Sequence, residues 1–234
     1  MKRALCVSLA AVVGAGASAR LPARLIAAAA LADLAGADRL RIAVREDLAP
    51  IGAAELRDLR RSARQLELRI APVPALLKCA LEVRPDRVLF ASEPALGQAA
   101  APLDVAAWSA GLSGALRTLR EAGIEAALAI APTLDAVKGA RGIDAPAVEL
   151  ATGGLADLPP RERRDALVAL GDAARLAAKL RLAAGAGGGL DLATLSAVLE
   201  AAPSLEWVSA GRGVIERAVL IGLERSVRDW RERI

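Results

Sequence analysis

The sequence contains no histidine, so the side chain that titrates nearest neutral pH is missing. This absence excludes Ser-His-Asp and Cys-His nucleophilic mechanisms and zinc sites that use imidazole. Any acid–base chemistry must come from carboxylates, lysine, cysteine or arginine, each of which needs a large environmental pKa shift to act at pH 7. The missing histidine therefore narrows the possible reaction classes before any motif is considered.

Aromatic residues and cysteines are also scarce. There is no tyrosine, and aromatic residues make up only 2% of the chain, which disfavours stacking platforms for single-stranded nucleic acid or sugars. Cys6 and Cys79 form no CxxC pair or metal-ligand spacing and are expected to be buried small hydrophobes. The 31 basic residues are interspersed with 27 acidic ones. We therefore expect no nucleic-acid partner, no metal and no cofactor.

What the chain does have is a regular alternation of short β-like runs and helical stretches, with 55% hydrophobic residues to fill a core. The expected strands are 5–13, 40–44, 67–71, 87–90, 125–130, 147–151, 181–184 and 207–210. Units of this kind without a long linker predict an α/β fold, a single-domain (β/α)8 TIM barrel over residues 1–234. A doubly wound open sheet is the alternative.

The amino terminus allows two interpretations. A charged start, an apolar stretch and the small residues 17–19 are typical of a secretory signal peptide, which would make the protein exported. The same segment can form the first barrel strand, at about 5–13, and it is too short for a convincing membrane span. Because cleavage after Ala19 would remove that strand and open the barrel, the sequence favours a strand, a cytoplasmic location and no membrane partner.

In such a barrel the functional residues lie at the carboxyl ends of the strands. The polar residues expected there are Arg45, Glu46, Asp47, Arg69, Glu149 and Thr152. Glycine-rich turns at 184–191 and 209–213 lead into helix amino termini, where backbone N–H groups and the helix dipole favour an anion. Together with Arg212, these turns suggest a phosphate site. The alternative is that the glycines only form tight turns.

The order of several segments resembles the pyridoxine 5′-phosphate synthase family over essentially the whole chain. The matching segments are LAGAD at 34–38, VRED at 44–47, ALEVRPD at 80–86, LDV at 103–105, EAGI at 121–124, VELATG at 148–153 and RAVLIGLE at 217–224. The resemblance implies a cytoplasmic barrel that forms a homo-oligomer, an octamer built from dimers. It also implies condensation of 3-amino-2-oxopropyl phosphate with 1-deoxy-D-xylulose 5-phosphate, with release of phosphate and water.

The sequence departs from the family where the family lines its barrel mouth with histidine and glutamate. The positions at which the resemblance implies a histidine are Ala11, Ala43, Pro50, Ala151, Gly188 and Arg212. An asparagine and a glutamate of the third strand are Glu67 and Arg69, and an arginine of the first loop falls at Gly16. The family's Asn-Ala-Gly-His-Gly motif is Gly-Ala-Gly-Gly-Gly at 185–189, and the lid segment 92–97 has lost most of its charges.

The residues that remain favour binding over proton transfer. By the resemblance, Gly189 and Gly211 match backbone phosphate contacts, and Arg212 could hold that anion in place of histidine. Glu149 is the only retained acid/base candidate, and we expect it to face Arg69 across the barrel mouth, each neutralising the other.

The sequence therefore predicts a catalytically degraded paralogue that keeps a phosphate pocket for a phosphorylated small molecule, with a ligand-binding, regulatory or assembly role. One alternative is an enzyme of altered chemistry that uses Glu149, Glu46 or Asp47 as its acid or base. The other is a synthase that is still active.

Overall fold

The computed structural model describes residues 3–14, 21–48, 51–93 and 101–234. Parallel strands form a closed barrel in which each strand pairs with its neighbours in sequence and the last strand pairs with the first. The strands are β1 (Ala4–Ser8), β2 (Arg39–Ala43), β3 (Leu66–Ile70), β4 (Arg87–Phe90), β5 (Glu125–Ile130), β6 (Ala147–Ala151), β7 (Ala183–Gly187) and β8 (Trp207–Ala210). The predicted (β/α)8 barrel is confirmed.

Helices connect the strands, and several begin at a side-chain cap. They are α1 (Ala10–Gly14), α2 (Leu21–Leu34), α3 (Ala53–Ser62), α4 (Pro74–Val83), α5 (Val105–Glu121), α6 (Leu134–Gly142), α7 (Pro160–Lys179), α8 (Leu192–Ala201), α9 (Arg212–Ile221) and α10 (Leu223–Arg231). Asp104 accepts hydrogen bonds from the first turn of α5, Thr133 from that of α6 and Asp191 from that of α8. Such caps satisfy the free N–H groups of a first turn and fix where each helix starts.

The strands divide their side chains between two environments. Leu40 and Ile42 of β2 belong to the large apolar core between barrel and helices, whereas Arg41, between them, reaches across the barrel interior to Glu149. A smaller apolar cluster that contains Leu89, Ala127 and Trp207 lies on the inner side. The interior of the barrel is thus partly apolar and partly charged, and this charged part positions the candidate site.

Four strands have bounds that differ from the sequence prediction. The second is Arg39–Ala43 instead of 40–44 and the third is Leu66–Ile70 instead of 67–71, one residue earlier in each case. The first strand ends at Ser8 instead of reaching residue 13, because the chain turns at Leu9 and Ala10–Gly14 is helical; the amide of Ala10 lies 3.4 Å from the Ser8 hydroxyl. The seventh strand is Ala183–Gly187 instead of 181–184. Arg181 has a positive φ of 59° that ends α7, and the glycine-rich segment that resembles a loop in sequence is extended and paired on both sides.

Some predictions fall on residues outside the described ranges. These are the small residues 17–19 of the signal-peptide interpretation, Gly16, Pro50 and positions 94–97 of the lid segment. Among the described residues, no helix has both the length and the hydropathy needed to cross a membrane.

Candidate functional site

Arg41 lies inside the barrel and joins two buried glutamates. Its Nη1 and Nη2 donate to Oε1 and Oε2 of Glu149 at 2.8 and 2.5 Å, a bidentate pair, and its Nε donates to Oε1 of Glu67. The three residues are only 5%, 3% and 0% exposed, respectively. Charges buried this deeply are tolerated only when they are paired and hydrogen-bonded. The cluster therefore compensates its own charges within the barrel.

Glu149 is saturated with hydrogen bonds. In addition to Arg41, its Oε2 accepts from Nε1 of Trp207 at 3.1 Å and from the hydroxyl of Ser209 at 2.6 Å. Burial by itself would raise the pKa of Glu149, but Arg41 and the hydrogen bonds outweigh that cost and hold the pKa at about 2. Glu149 is consequently a carboxylate at neutral pH and carries no proton to donate.

Arg69 does not form the expected direct pair with Glu149. Both oxygens of Glu149 accept hydrogen bonds from Arg41, which lies on β2, the strand next to that of Arg69. Arg69 is half-buried near the carboxyl end of β3, beside Ala43, and within the described residues it makes no hydrogen bond or ion pair. Burial and repulsion from Arg41 lower the pKa of Arg69 to about 10, so it is still a cation at neutral pH. Arg69 is therefore a cation at the mouth without a direct carboxylate partner among the described residues, and the charges of Glu149 and Glu67 act on it only at longer range.

The mouth around Arg69 is lined by small residues. Ala43 and Ala151, at the ends of β2 and β6, are partly exposed and stand where the resemblance implies histidines. Gly187 lies against the glutamate, since a Cβ added there would be 2.6 Å from Oε1 of Glu149. None of these three residues has a side chain that can exchange a proton.

The turns after β6, β7 and β8 pack on one another. Thr152 uses both its amide and its hydroxyl to donate to the carbonyl of Gly187, at 2.8 and 3.0 Å. Gly189 has a φ of +115°, and a Cβ there would be 3.1 Å from Cα of Gly153. A Cβ on Gly213 would be 2.9 Å from the carbonyl of Leu190, so the β8–α9 turn lies against the β7–α8 turn. Thr152 is thus a structural link between turns.

Gly211 and Arg212 form the start of α9. Gly211 lies against β1, because a Cβ on it would be 3.0 Å from Cβ of Ser8, and as the N-cap residue it provides no side-chain cap. Arg212 is exposed and makes no hydrogen bond or ion pair with any described residue. An uncapped helix start next to a cation and to close-packed glycine turns has the chemistry that binds an anion.

The remaining predicted residues lie apart from Glu149. Arg45 pairs with Asp47 at 3.3 Å and lies 3.9 Å from Glu93, and Glu46 is exposed. Within the part of the chain that the structure describes, no group of acidic residues and cysteines could hold a metal ion. At the rim, Arg45 is thus paired with Asp47 and Glu93.

Sequence reasoning missed Arg41, Trp207 and Ser209 as partners of Glu149. The signal for Arg41 is the alternation in β2, where arginine at 39 and 41 alternates with Leu40 and Ile42. Side chains two apart on a strand share one face, so this pattern places both arginines inside the barrel.

Comparisons with known proteins agree with the geometry of the fold. The family model described as pyridoxal phosphate biosynthesis protein PdxJ matches residues 11–234. The pyridoxine 5′-phosphate synthase of Geobacter metallireducens is 36% identical over 207 residues, covering 87% of this chain and 86% of the relative. That of Geotalea daltonii is 34% identical with the same coverage. The solved thiamine phosphate pyrophosphorylase from Pyrococcus furiosus has a TM-score of 0.61 at 12% identity, covering 99% of this chain and 94% of that one, and shares the fold alone.

Proposed function

The chain belongs to the PdxJ family of pyridoxal phosphate biosynthesis proteins, and we propose that it keeps the family's barrel and a pocket for a phosphorylated small molecule while having lost the parent condensation. One observation carries the proposal. Glu149, the only acid/base group that the resemblance retains, is fixed by Arg41, Trp207 and Ser209 with a pKa of about 2. A group with this pKa is a poor proton donor and a weak base at neutral pH.

The parent condensation depends on repeated proton transfers. It forms an imine, closes a ring and eliminates phosphate and water, and each general acid or base typically contributes about 10²–10⁴-fold to the rate. Ala43 and Ala151 replace such groups at the mouth with side chains that have no titratable atom. Losing several contributions together removes most of the rate enhancement that an enzyme of this kind needs.

The binding side of the proposal depends on Arg69 and Arg212. Both are cations that form no ion pair with a described carboxylate, one inside the mouth and one at the start of α9. Gly189 is exposed and Gly211 is partly exposed, and neither has a side chain that could block an anion from the backbone. Arginine binds phosphate through paired N–H donors and never loses its proton at neutral pH. We propose that the phosphate lies at Gly189, Gly211 and Arg212, and that Arg69 meets a second acceptor of the same ligand.

We propose that the protein has a ligand-binding, regulatory or assembly role in the cytoplasm. We also propose that it is a homo-oligomer, an octamer or a dimer, and that it has no nucleic-acid or membrane partner. Val219 and Leu220 on α9 are 80% and 83% exposed, and Leu31 of α2 lines the same groove as Ile221. Exposed apolar surface of this kind favours association between copies. Light scattering behind size-exclusion chromatography measures the assembly directly.

The activity test supplies purified protein with 3-amino-2-oxopropyl phosphate and 1-deoxy-D-xylulose 5-phosphate and measures pyridoxine 5′-phosphate by mass spectrometry. We expect no product above the protein-free background. Product formed at a rate proportional to protein concentration would overturn the proposed loss of chemistry.

The pocket is tested separately with inorganic phosphate. We expect phosphate to raise the melting temperature, and Arg212→Ala to remove most of that shift. Arg117→Ala is the matched control, because Arg117 is an exposed helical arginine without an ion pair among the described residues. A wild-type melting temperature that does not respond to phosphate would rule out the pocket.

The main alternative is a working enzyme. Its support is the 36% identity to a pyridoxine 5′-phosphate synthase over most of both chains. In that case the same substrates, or others that carry phosphate, would turn over with Glu46 or Asp47 at the rim as the acid or base, since both are exposed. Loss of turnover in Glu46→Gln or Asp47→Asn would identify this alternative.

A further inference from the structure

A cavity of about 370 Å³ lies at the amino-terminal end of the barrel, opposite the mouth. It opens where the chain enters β2, β3, β4 and β5. Its lining residues are Arg39, Arg60, Gln65, Arg84, Pro85, Asp86, Ala122, Gly123, Ile124 and Glu125. Three arginines and two carboxylates thus surround a space that has no part in the site at the mouth.

Arg39 is the unusual member of this lining. Its side chain is 10% exposed, yet its closest carboxylate contacts, to Glu67 at 3.8 Å and to Glu125 at 3.7 Å, are too long for hydrogen bonds. Its side chain makes no hydrogen bond with any described residue, and its Nε is fully buried without a partner. A buried N–H donor without a partner costs free energy, and the two Nη groups have only the long ion pairs. The cavity is the direction from which a partner can reach this group.

The other charged groups of the lining are already bound. Arg60 donates to the carbonyl of Arg84 at 3.1 Å and to Oδ1 of Asp86 at 2.7 Å, while Oδ2 of Asp86 accepts from the amide of Leu66. Arg84 donates its Nη2 to the carbonyl of Ala122 at 3.2 Å. These bonds satisfy the carboxylate and the carbonyls that follow α4 and α5. They also offset the negative dipole ends of those helices.

The count of unmet groups favours an incoming acceptor. Glu125 accepts at Oε2 from Arg87 at 3.1 Å, and its side chain is 62% exposed, so it can turn towards solvent. Behind it, Oε2 of Glu67 and Nη1 of Arg87 are buried without a hydrogen bond and lie 3.9 Å apart, as an ion pair. Among the described residues of this region, the buried nitrogens without a hydrogen bond are Nε of Arg39 and Nη1 of Arg87, against one such oxygen, Oε2 of Glu67. The buried donors therefore outnumber the buried acceptor.

We propose that this cavity is a binding site for a small oxyanion, a phosphate or a carboxylate, held mainly by Arg39 with Arg84 at the rim. An oxyanion presents several acceptor oxygens, which matches a forked guanidinium whose carboxylate neighbours are too distant to accept hydrogen bonds. The site is separate from the proposed pocket at the mouth and does not depend on it.

The test removes the mouth pocket first. In the double variant Arg69→Met/Arg212→Ala, calorimetric titration with inorganic phosphate is expected to give one bound phosphate per chain at the amino-terminal end. Titration with acetate in parallel distinguishes a phosphate site from a carboxylate site by which anion binds more tightly. Adding Arg39→Gln should weaken binding by about tenfold or more, since hydrogen bonds to charged groups are among the strong ones. Adding Arg117→Ala instead is the matched control and should leave binding unchanged.

Arg84→Asn provides a second variant in case Arg39→Gln does not fold. Arg84 has a φ of 53°, a left-handed conformation that asparagine tolerates, and the substitution removes the cation from the rim. We expect it to weaken binding about threefold or more. Crystals soaked in selenate should show an anomalous peak within hydrogen-bond distance of Arg39. If the double variant binds neither phosphate nor acetate, the site is overturned. It is also overturned if the added Arg39→Gln folds and leaves the affinity unchanged. If Arg39→Gln does not fold, unchanged affinity in Arg84→Asn has the same meaning. A different result would contradict the mouth pocket: the double variant Arg69→Met/Arg212→Ala would bind as many phosphates per chain as the wild type does.

Discussion

The indole ring of Trp207 occupies the place where any side chain on Gly185 would begin, since a Cβ added to Gly185 would lie 2.0 Å from Cε2 of Trp207. From this position Trp207 donates its Nε1 to Glu149 at 3.1 Å and stacks under the guanidinium of Arg87, whose Cζ is 4.4 Å from the ring centre. The resemblance implies asparagine at 185. Because glycine at 185 has no Cβ, the indole ring can lie beside Glu149 and donate a hydrogen bond to its carboxylate.

Gly185→Ala is expected to destabilise the barrel. The new methyl group forces the indole of Trp207 to move, which breaks its hydrogen bond to Glu149 and overpacks the interior at a cost of about 1–3 kcal/mol. Urea unfolding followed by far-UV circular dichroism measures the change. Gly114→Ala in α5 is the control, because a Cβ there meets nothing within 4 Å; it should be neutral or stabilise by about 0.5–1 kcal/mol. Equal effects of the two substitutions would contradict the packing argument.

Removing Arg41 is expected to be far more damaging than neutralising Glu149. Arg41→Met leaves Glu149 and Glu67 buried without their shared cation, which typically costs about 3–5 kcal/mol. Glu149→Gln keeps the shape and several hydrogen bonds and removes one charge, so we expect a cost of about 1–3 kcal/mol. Unfolding free energies of the two variants provide the comparison. If Glu149→Gln were the more damaging of the two, Arg41 would not be the centre of the cluster.

Acid should weaken the fold through Glu149. Its pKa is about 2 in the folded chain against a usual value of 4.5, so the folded state favours the carboxylate. A depressed carboxylate pKa contributes stability that is fully present above about pH 4.5 and is lost as the pH falls towards about 2. Unfolding free energies between these pH values should fall more steeply for wild type than for Glu149→Gln. Parallel pH profiles would show that Glu149 is not perturbed.

Much of the fold follows from the sequence because alternation and turn residues are local signals. The strands at 87–90, 125–130, 147–151 and 207–210 have the predicted bounds. The first strand was predicted too long because the apolar run continues past Ser8, and hydrophobicity does not distinguish a buried strand from a buried helical turn. The seventh was misplaced because Gly185 and Gly187 have the composition of a loop. They are extended because the segment pairs with β6 and β8, and glycine is needed there because a Cβ would clash with Trp207 or Glu149.

The site was predicted less well because its pairing depends on the closed barrel. The sequence identifies Glu149 and Arg69 as inward residues, but it does not determine which of several arginines reaches a given glutamate. Arg41 lies on β2 and Glu149 on β6, strands that share no backbone hydrogen bond, and only closure brings them together. The partner of Glu149 is therefore Arg41 and not the expected Arg69.

The thiols should be unreactive in the folded protein. Burial, then the negative charge of Glu67, raises the pKa of Cys6 to about 12, and burial also raises the pKa of Cys79. A thiol reacts as the thiolate, so neither residue should react rapidly with a disulfide reagent at pH 8. Titration with Ellman's reagent should find no fast thiol in native protein and both after unfolding in urea. If native protein shows a fast-reacting thiol that is lost in Cys79→Ser and kept in Cys6→Ser, then Cys79 is reactive and the prediction holds for Cys6 alone.

Arg69→Met should stabilise the fold and weaken the ligand at the same time. The folded chain gives Arg69 no hydrogen bond or ion pair among the described residues, and burial with repulsion from Arg41 lowers its pKa to about 10. Methionine keeps the apolar stem and removes the unpaired charge, so we expect the free energy of unfolding to rise by about 1 kcal/mol. A ligand that uses this cation loses a charged contact, so binding of a phosphorylated acceptor such as 1-deoxy-D-xylulose 5-phosphate should weaken by about tenfold. Arg117→Met, on the surface of α5, should change neither quantity. A destabilised Arg69→Met with unchanged ligand affinity would mean that Arg69 is a structural cation and that the mouth binds its ligand without it.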